Sequence, residues 1–592
     1  MTSQAPAVVV APDTTRRTRD DAWGQRAAIV AVVVLLGLFV LAPTGMLLAR
    51  SLSDDDGAWV GLRNFARYLS NTRLLESLRN TALVVSVSST VAVSLSFVYA
   101  FALTHSRMPL RRTFRVIALL PLYAPTMLFG IGLVYLFGNQ GLFTHGLFGR
   151  LPFGIDIGLY GPVGIILAET LVIFPAALLV LLAALGGADG RLYEAAETMG
   201  ASKPRTFLAV TLPACRFGLV SAASVAVILA TTDFGAPKIV GGQTNVLAVD
   251  VYQQVAGQND LSMGAAVSVL LLAPTALAFA ADRIVRRRQT SALTSRSTPY
   301  TPPVNRVRDG VLLAFCTLVA GAILAVVLTP VLVAFVNNWP YSLTGEAPGP
   351  VMSLKHFDLG EGGASTYGGM PAYFNSLRMA TYTAVTGTAL AFIAAYLFEK
   401  LRPMPAVRKA GYFLALLPLG LPGLSLGVAY VLLFSRAELG GVPNPAAALY
   451  GTMALLVACN VVHFFGVSFL SATTALRQLD SEFEQAAATL GVPAWRLFAT
   501  VTAPWCAPTL LEIAVYQFVS AMTTVSALVF LYSGDLVPAS VSVVRLDEAG
   551  LTQSAAAICA LILLTNLCAR GLFEVASAWL ARRTRPWRGA AH

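Results

Sequence analysis

Charge is scarce in this sequence: only 12% of its 592 residues are Asp, Glu, Lys or Arg, about half the fraction of an ordinary soluble domain. With 56% hydrophobic residues, the chain cannot cover itself as a water-soluble globule does. Cysteine is sparse as well. Cys215, Cys316, Cys459, Cys506, Cys559 and Cys568 show neither C-x-x-C pairing nor metal-ligand spacing, so they read as small apolar residues. The five histidines, His105, His145, His356, His463 and His592, form no H-E-x-x-H or other zinc pattern, and no Ser-His-Asp arrangement is evident. No G-x-x-x-x-G-K-[ST] loop is present, which excludes the usual phosphate cradle. A metal site, a cofactor site and an enzyme activity on this chain are therefore not expected.

What is present is apolar and periodic on the scale of a bilayer. The net charge of +11 would suit nucleic acid, but the basic residues sit at the ends of apolar stretches: Arg16, Arg17, Arg19, Arg26; Arg107, Arg111, Arg112, Arg115; Arg283, Arg286, Arg287, Arg288; Arg582, Arg583, Arg585, Arg588. That is the positive-inside pattern of membrane proteins, and nucleic acid is not an expected partner. Apolar runs of about 20 residues predict an all-α polytopic protein with about twelve transmembrane helices. They fall near 27–49, 80–104, 115–138, 160–187, 216–233 and 263–282, then 311–336, 377–399, 410–434, 450–475, 508–532 and 554–577. Residues 1–26 read as a disordered cytoplasmic tail before a retained first helix, not as a signal peptide.

The second half repeats the first. Residues 194–213, EAAETMGASKPRTFLAVTLP, align with residues 485–504, QAAATLGVPAWRLFATVTAP, at an offset of 291 that also pairs Asp189 with Asp480. ALLPLYAPTMLFGIGLVY from Ala118 matches ALLPLGLPGLSLGVAYVL from Ala415, pairing Pro121 with Pro418 and Pro125 with Pro422; SLR recurs at Ser77 and Ser376. Such duplication predicts two halves packed about a pseudo-two-fold axis normal to the membrane, with solute crossing between them.

The spacing E-A-A, three residues, Gly, nine residues, then V-T-L-P at Glu194–Pro213 resembles the EAA loop of ABC importer permeases. The second copy departs at Gln485, with Glu484 one position early, and at Ala503. Paired alanines leave a helix face open to close approach, and Gly200 and Gly491 suit a helix-ending turn. The resemblance implies the methionine-permease-like, type I importer fold in two homologous six-helix halves. It places a cytoplasmic tail at 1–26, a first permease domain at 27–288 with its EAA loop at 189–213, and a linker at 289–309. A second permease domain follows at 310–579 with its loop at 480–504, then a tail at 580–592. In that family the loops dock on two ATPase subunits that hold ATP and Mg, and an extracytoplasmic binding protein delivers the solute. Glu194, Ala195, Ala196, Gly200, Glu484, Gln485, Ala486, Ala487 and Gly491 are the implied docking residues. The implied location is a bacterial-type plasma membrane with both termini cytoplasmic.

Pathway candidates come from helix breakers and intramembrane polar groups. Pro121, Pro125, Pro418 and Pro422 break spans at corresponding places, either along the pathway or as packing kinks. Glu169, aligned with Asn460, serves either an interhelical hydrogen bond or the pathway. Asp233 with Thr231, Thr232, Thr523, Thr524 and Ser526 is expected to form a polar constriction. Lys238 and Arg545 read as docking residues for the binding protein, with attraction of an anion as the alternative. Arg205 and Arg496 read as anchors to their own span or to anionic lipid. Within the family the chain resembles the ferric-iron, thiamine and phosphonate branch, and Thr231–Leu272 and Ala521–Ser533 resemble 2-aminoethylphosphonate permeases. An ion-driven carrier or channel without an ATPase is the alternative class.

Overall fold

The computed structural model describes residues 14–584 apart from 55–56, 150, 188, 290–299, 338, 340–350, 360–362, 402 and 440. Part of the expected linker and of both expected tails thus lies outside the described residues. Among the described residues, eight helices are long and apolar enough to cross a bilayer unbroken: Trp23–Ser51, Thr72–His105, Pro162–Gly186, Lys203–Thr232, Leu261–Ile284, Arg306–Ala334, Gly369–Glu399 and Thr552–Leu580. Four more are bent pairs: Arg111–Tyr123 with Thr126–Phe137 by 106°, Pro405–Gly420 with Gly423–Phe434 by 115°, Met453–His463 with Phe465–Arg477 by 55°, and Ala494–Trp505 with Ala507–Thr523 by 76°. Counted in chain order, these make twelve spans. Sheet among the described residues amounts to Glu438–Leu439 paired with Val442–Pro443.

Two expected boundaries are corrected. The fifth span begins at Lys203, not near 216, and the eleventh runs Ala494–Thr523, not 508–532. The V-T-L-P and V-T-A-P stretches are therefore the first turns of these spans, not loop. A π turn, Phe207–Thr211, precedes Pro213, and another, Phe498–Thr502, precedes Pro504. Widening the helix there accommodates the missing proline N–H and the ring that would clash one turn back. The same device, Gly37–Leu41, precedes Pro43 in the first span. Within the expected disordered tail, residues 14–26 are corrected, because a helix begins at Thr14 and runs to Leu36; residues 1–13 lie outside the described residues.

The two halves exchange their first spans. Ile29, Val32, Leu36 and Val40 belong to the hydrophobic core of the second half. There the Tyr430 hydroxyl donates to the Phe39 carbonyl at 2.8 Å, and Phe39 stacks on Phe434 at 5.9 Å. Conversely Cys316, Val319, Ile323 and Val326, from the seventh span, lie in the core of the first half. Gly132 is needed for this approach, since a Cβ there would stand 2.2 Å from the Val326 carbonyl oxygen. Each half thus buries a strip of the other.

The repeat register near the second and eighth spans also differs from the SLR match. The Asn80 side chain donates to the Asn245 carbonyl and Thr81 Oγ1 accepts from Leu247 N. In the second half the Asn375 side chain donates to the Asp535 carbonyl and Ser376 Oγ accepts from Ala539 N. Equivalent contacts pair Asn80-Thr81 with Asn375-Ser376, so Ser77 and Ser376 are one helical turn out of register.

Candidate coupling helices and translocation pathway

The duplicated motif folds as a short helix in each half, Gly190–Thr198 and Glu482–Thr489. Asp189 starts the first by accepting from Arg191 N, and Asp480 does the same for Glu482 N at 3.1 Å. Each helix ends on its glycine. Gly200 has φ +70° and Gly491 φ +65°, a backbone that side-chain-bearing residues adopt at a cost of roughly 1–2 kcal/mol. Ala201 N donates to the Ala196 carbonyl, Gly200 N to Glu197, and Val492 N to Ala487. These are the closing bonds of a left-handed C-terminal cap.

The implied docking residues divide by face. Glu194, Ala195, Gly200, Gln485, Ala486 and Gly491 are exposed, whereas Ala196 and Ala487 are buried against their own halves. Glu484, also in the implied docking set, is partly exposed and has a partner within the chain. Its carboxylate pairs with Lys400 Nζ at 2.7 Å, the side chains being 28% and 11% exposed, so it ties the helix to the eighth span. The offset of 291 places Tyr193 at the same position in the first half. There the Tyr193 hydroxyl meets His105 Nε2 at 3.1 Å and donates to Thr211 Oγ1, with Tyr300 stacked on its ring at 4.1 Å. One motif helix is held by an ion pair and the other by a hydroxyl–imidazole contact. Arg205 and Arg496 are exposed, consistent with a lipid or aqueous setting.

Four residues outside the sequence-based set share these helices' free surface. Leu192 is 53% and Met199 79% exposed, and their partners at the same offset, Phe483 and Leu490, are 48% and 78% exposed. Large apolar side chains repeated in two polar helices mark a contact surface. Their pairing at 291 was visible in the sequence, but the fixed letters of the motif drew attention elsewhere.

The pathway candidates converge on the two sharply broken spans. Pro121, Pro125, Pro418 and Pro422 are all buried, and each pair frames the break. Beyond it, Thr126 packs on Gly235, where a Cβ would meet Thr126 Oγ1 at 2.3 Å, while Gly423 packs on Ser526, whose Oγ would lie 2.3 Å from a Cβ at Gly423. The same contact is made in both halves with glycine and hydroxyl exchanged. Asp233 accepts from Ala236 N at 3.0 Å and starts the short helix Gly235–Val240. Thr231, Thr232 and Thr523 donate to carbonyls of their own helices, and the Thr524 carbonyl accepts from Ser540 Oγ. These hydroxyls are thus engaged in fixing helix ends. Thr231 and Asp233, with Thr81 and Val84, also line a narrow crevice between the second, fourth and fifth spans.

Glu169 is fully buried within hydrogen-bonding reach of the Asp233 carboxyl and has no other partner among the described residues. Asn460, its counterpart, is equally buried and has no hydrogen-bond partner there. A buried polar side chain so poorly satisfied at the equivalent position of both halves is costly. The unbroken fifth span is 30 residues long, so Asp233 lies about 45 Å from the coupling helix that precedes it.

At that remote end the halves meet through charged and aromatic groups. Lys238 Nζ pairs with Glu548 Oε1 at 2.8 Å and lies 5.1 Å over the ring of Tyr252, which stacks on Phe530 at 6.1 Å. Burial, with the neighbouring Glu548, pushes the Tyr252 phenol up to about 12. Lys238 is thereby turned into the seam between halves.

These features define a duplicated polytopic membrane protein with two exposed helices at one end and a seam between halves at the other. The family described as "Binding-protein-dependent transport system inner membrane component" matches residues 92–291 and 387–585, and the chain belongs to it. It is similar to two ferric transport system permeases, one of Haemophilus influenzae, so named provisionally, and one of Actinobacillus pleuropneumoniae. They are 26% and 25% identical over 521 and 536 residues, covering 86% and 88% of this chain and 78% and 74% of theirs. A Salmonella paratyphi A permease provisionally named for 2-aminoethylphosphonate transport is 26% identical over 246 residues, 40% of this chain and 84% of its own. The chain is accordingly a multi-pass inner-membrane permease of an ABC importer.

Proposed function

We propose that the chain is the membrane subunit of an ATP-driven importer in which one ATPase copy docks on Gly190–Thr198 and a second on Glu482–Thr489. The observation that carries this reading is the repeated apolar pair, Leu192 with Met199 and Phe483 with Leu490, left exposed on the outer face of helices whose inner face is already packed. ATP and Mg then belong to the ATPase, and an extracytoplasmic binding protein hands over the solute. Both termini lie with the coupling helices in the cytoplasm, and residues 27–288 and 310–579 act as the two permease domains. The broken spans, with Glu169 and Asp233, flank the pathway.

For the cargo, 2-aminoethylphosphonate is supported by the cations Lys238 and Arg545 at the seam, which suit an oxyanion. Ferric iron is the second reading, favoured by the two ferric permeases that match across both halves. The test is ATP hydrolysis by the chain reconstituted with its ATPase and binding protein, against 2-aminoethylphosphonate, ferric iron and thiamine. Stimulation by the phosphonate alone supports the first cargo. Stimulation by iron or thiamine keeps the importer and replaces the cargo, and transport without any ATPase revives the ion-driven carrier.

A further inference from the structure

The seam between halves carries a charge arrangement that the repeat does not explain. Lys238 comes from the first half and Glu548 from the second, yet the offset of 291 puts Val529, not a charged residue, opposite Lys238. The ion pair therefore occurs once, across the pseudo-two-fold axis. It is half-buried, with side chains 24% and 40% exposed, and the Tyr252 hydroxyl reaches the same Glu548 oxygen at 3.5 Å.

Three residues before Glu548, on the helix Ala539–Glu548, stands Arg545. Its guanidinium lies 5.8 Å from the ring centre of Tyr367 and 5.7 Å from that of Tyr532. Among the described residues it makes no ion pair. Lys238 thus lies near two carboxylates, Glu548 and its neighbour Asp547, while Arg545 rests on tyrosine rings alone. Aromatic faces stabilise a cation partly withdrawn from water, but they do not neutralise it, so the Arg545 guanidinium remains without an anionic partner among the described residues.

We propose that this cluster is an anion-recognising latch at the outer mouth of the pathway. Without cargo, Glu548 holds Lys238 and ties the halves together. A small oxyanion of the phosphonate or phosphate class, accepting hydrogen bonds from Arg545 and then Lys238, takes the lysine from Glu548 and releases the tie. A zwitterion such as 2-aminoethylphosphonate meets charges of both signs, its phosphonate with Arg545 and Lys238 and its ammonium group with the freed Glu548. A bare metal cation would instead meet two like charges. The direction of movement rests on the importer reading; the contact itself does not.

The latch is tested apart from ATP hydrolysis by calorimetric binding of 2-aminoethylphosphonate and of inorganic phosphate to the full chain in lipid nanodiscs. Glu548→Gln removes the competitor for Lys238 and should tighten inorganic phosphate binding by about threefold or more. Arg545→Gln removes the unpaired cation and should weaken binding of both ligands about tenfold, with Arg545→Lys recovering part of it. Changes of opposite sign from neighbouring residues would not follow from general misfolding. Should Glu548→Gln fail to accumulate in membranes, Lys238→Gln must weaken inorganic phosphate binding in the same nanodisc assay and raise cargo-free hydrolysis in the complete complex; unchanged values for both overturn the latch. Equal affinities in all variants, or no binding by the wild type at about 10 mM of either ligand, overturn the latch. A wild-type complex that hydrolyses no ATP overturns the importer reading but leaves the binding result to stand.

Discussion

Replacing Met199 or Leu490 by Ser should separate docking from folding. The two side chains are 79% and 78% exposed, so the chain's own packing uses about a fifth of each. Complete burial of a Leu or Met side chain is worth about 1.5–3 kcal/mol, leaving about 1.2–2.4 kcal/mol available to a docked partner. Each substitution should therefore weaken ATPase binding by about 8- to 60-fold, while the unfolding midpoint of the isolated chain stays within about 0.5 kcal/mol of wild type. The two helices are distant in sequence and belong to different halves, so the losses should add in the double variant. The assay is titration of the purified ATPase onto the chain in nanodiscs, with thermal unfolding measured on the same samples. Affinity within twofold of wild type in both single variants would refute the reasoning. So would a fall in affinity accompanied by an equal loss of stability, because these residues would then be structural.

Further expectations concern the caps, the anchors and the buried acid. No atom lies within 4 Å of a Cβ placed at Gly200 or Gly491, so backbone strain alone should rank substitutions there as Asn, then Ala, then Val in increasing loss of cargo-stimulated hydrolysis; equal activity of Asn and Val variants in that assay would contradict the cap. Glu194→Gln removes an exposed carboxylate that the second helix lacks at Gln485, and should reduce stimulated hydrolysis several-fold more than Gln485→Ala. Lys400→Gln should loosen only the second coupling helix, read as faster proteolysis near Glu482–Thr489, because the first is held by His105 and Tyr193. Glu169→Met removes a fully buried carboxyl that faces a second one, Asp233, and should raise the thermal midpoint in detergent while cutting transport at least about tenfold; unchanged transport would take Glu169 out of the pathway.

The duplicated motif and the apolar runs carried the architecture because both are local: twenty apolar residues report a bilayer crossing wherever the helix packs. The paired prolines likewise located the two sharp breaks. What depended on distant contacts was not legible. Nothing in residues 27–49 distinguishes a first span packed on its own half from one lent to the other, since the apolar stripe is the same in either case. The early starts at Lys203 and Ala494 were missed because polar first turns precede the apolar run, and a π turn before proline leaves no compositional mark. The SLR match was literal, while the structure aligns side chains by what they bond, Asn80 and Asn375 each holding a carbonyl of the segment beyond the fifth or eleventh span. Glu484 reads as a displaced motif residue, and only the position of Lys400 shows that it also forms an ion pair within the chain. The Lys238–Glu548 pair joins residues 310 positions apart, beyond the reach of any repeat or periodicity.

The central claim, that both short helices receive an ATPase, is tested most directly by site-specific photocrosslinking from Ala195 and, separately, from Ala486 in the complete complex. The account predicts one ATPase adduct from each position and two adducts on a chain labelled at both. A complex that hydrolyses ATP in response to cargo yet gives no adduct from either position would contradict it.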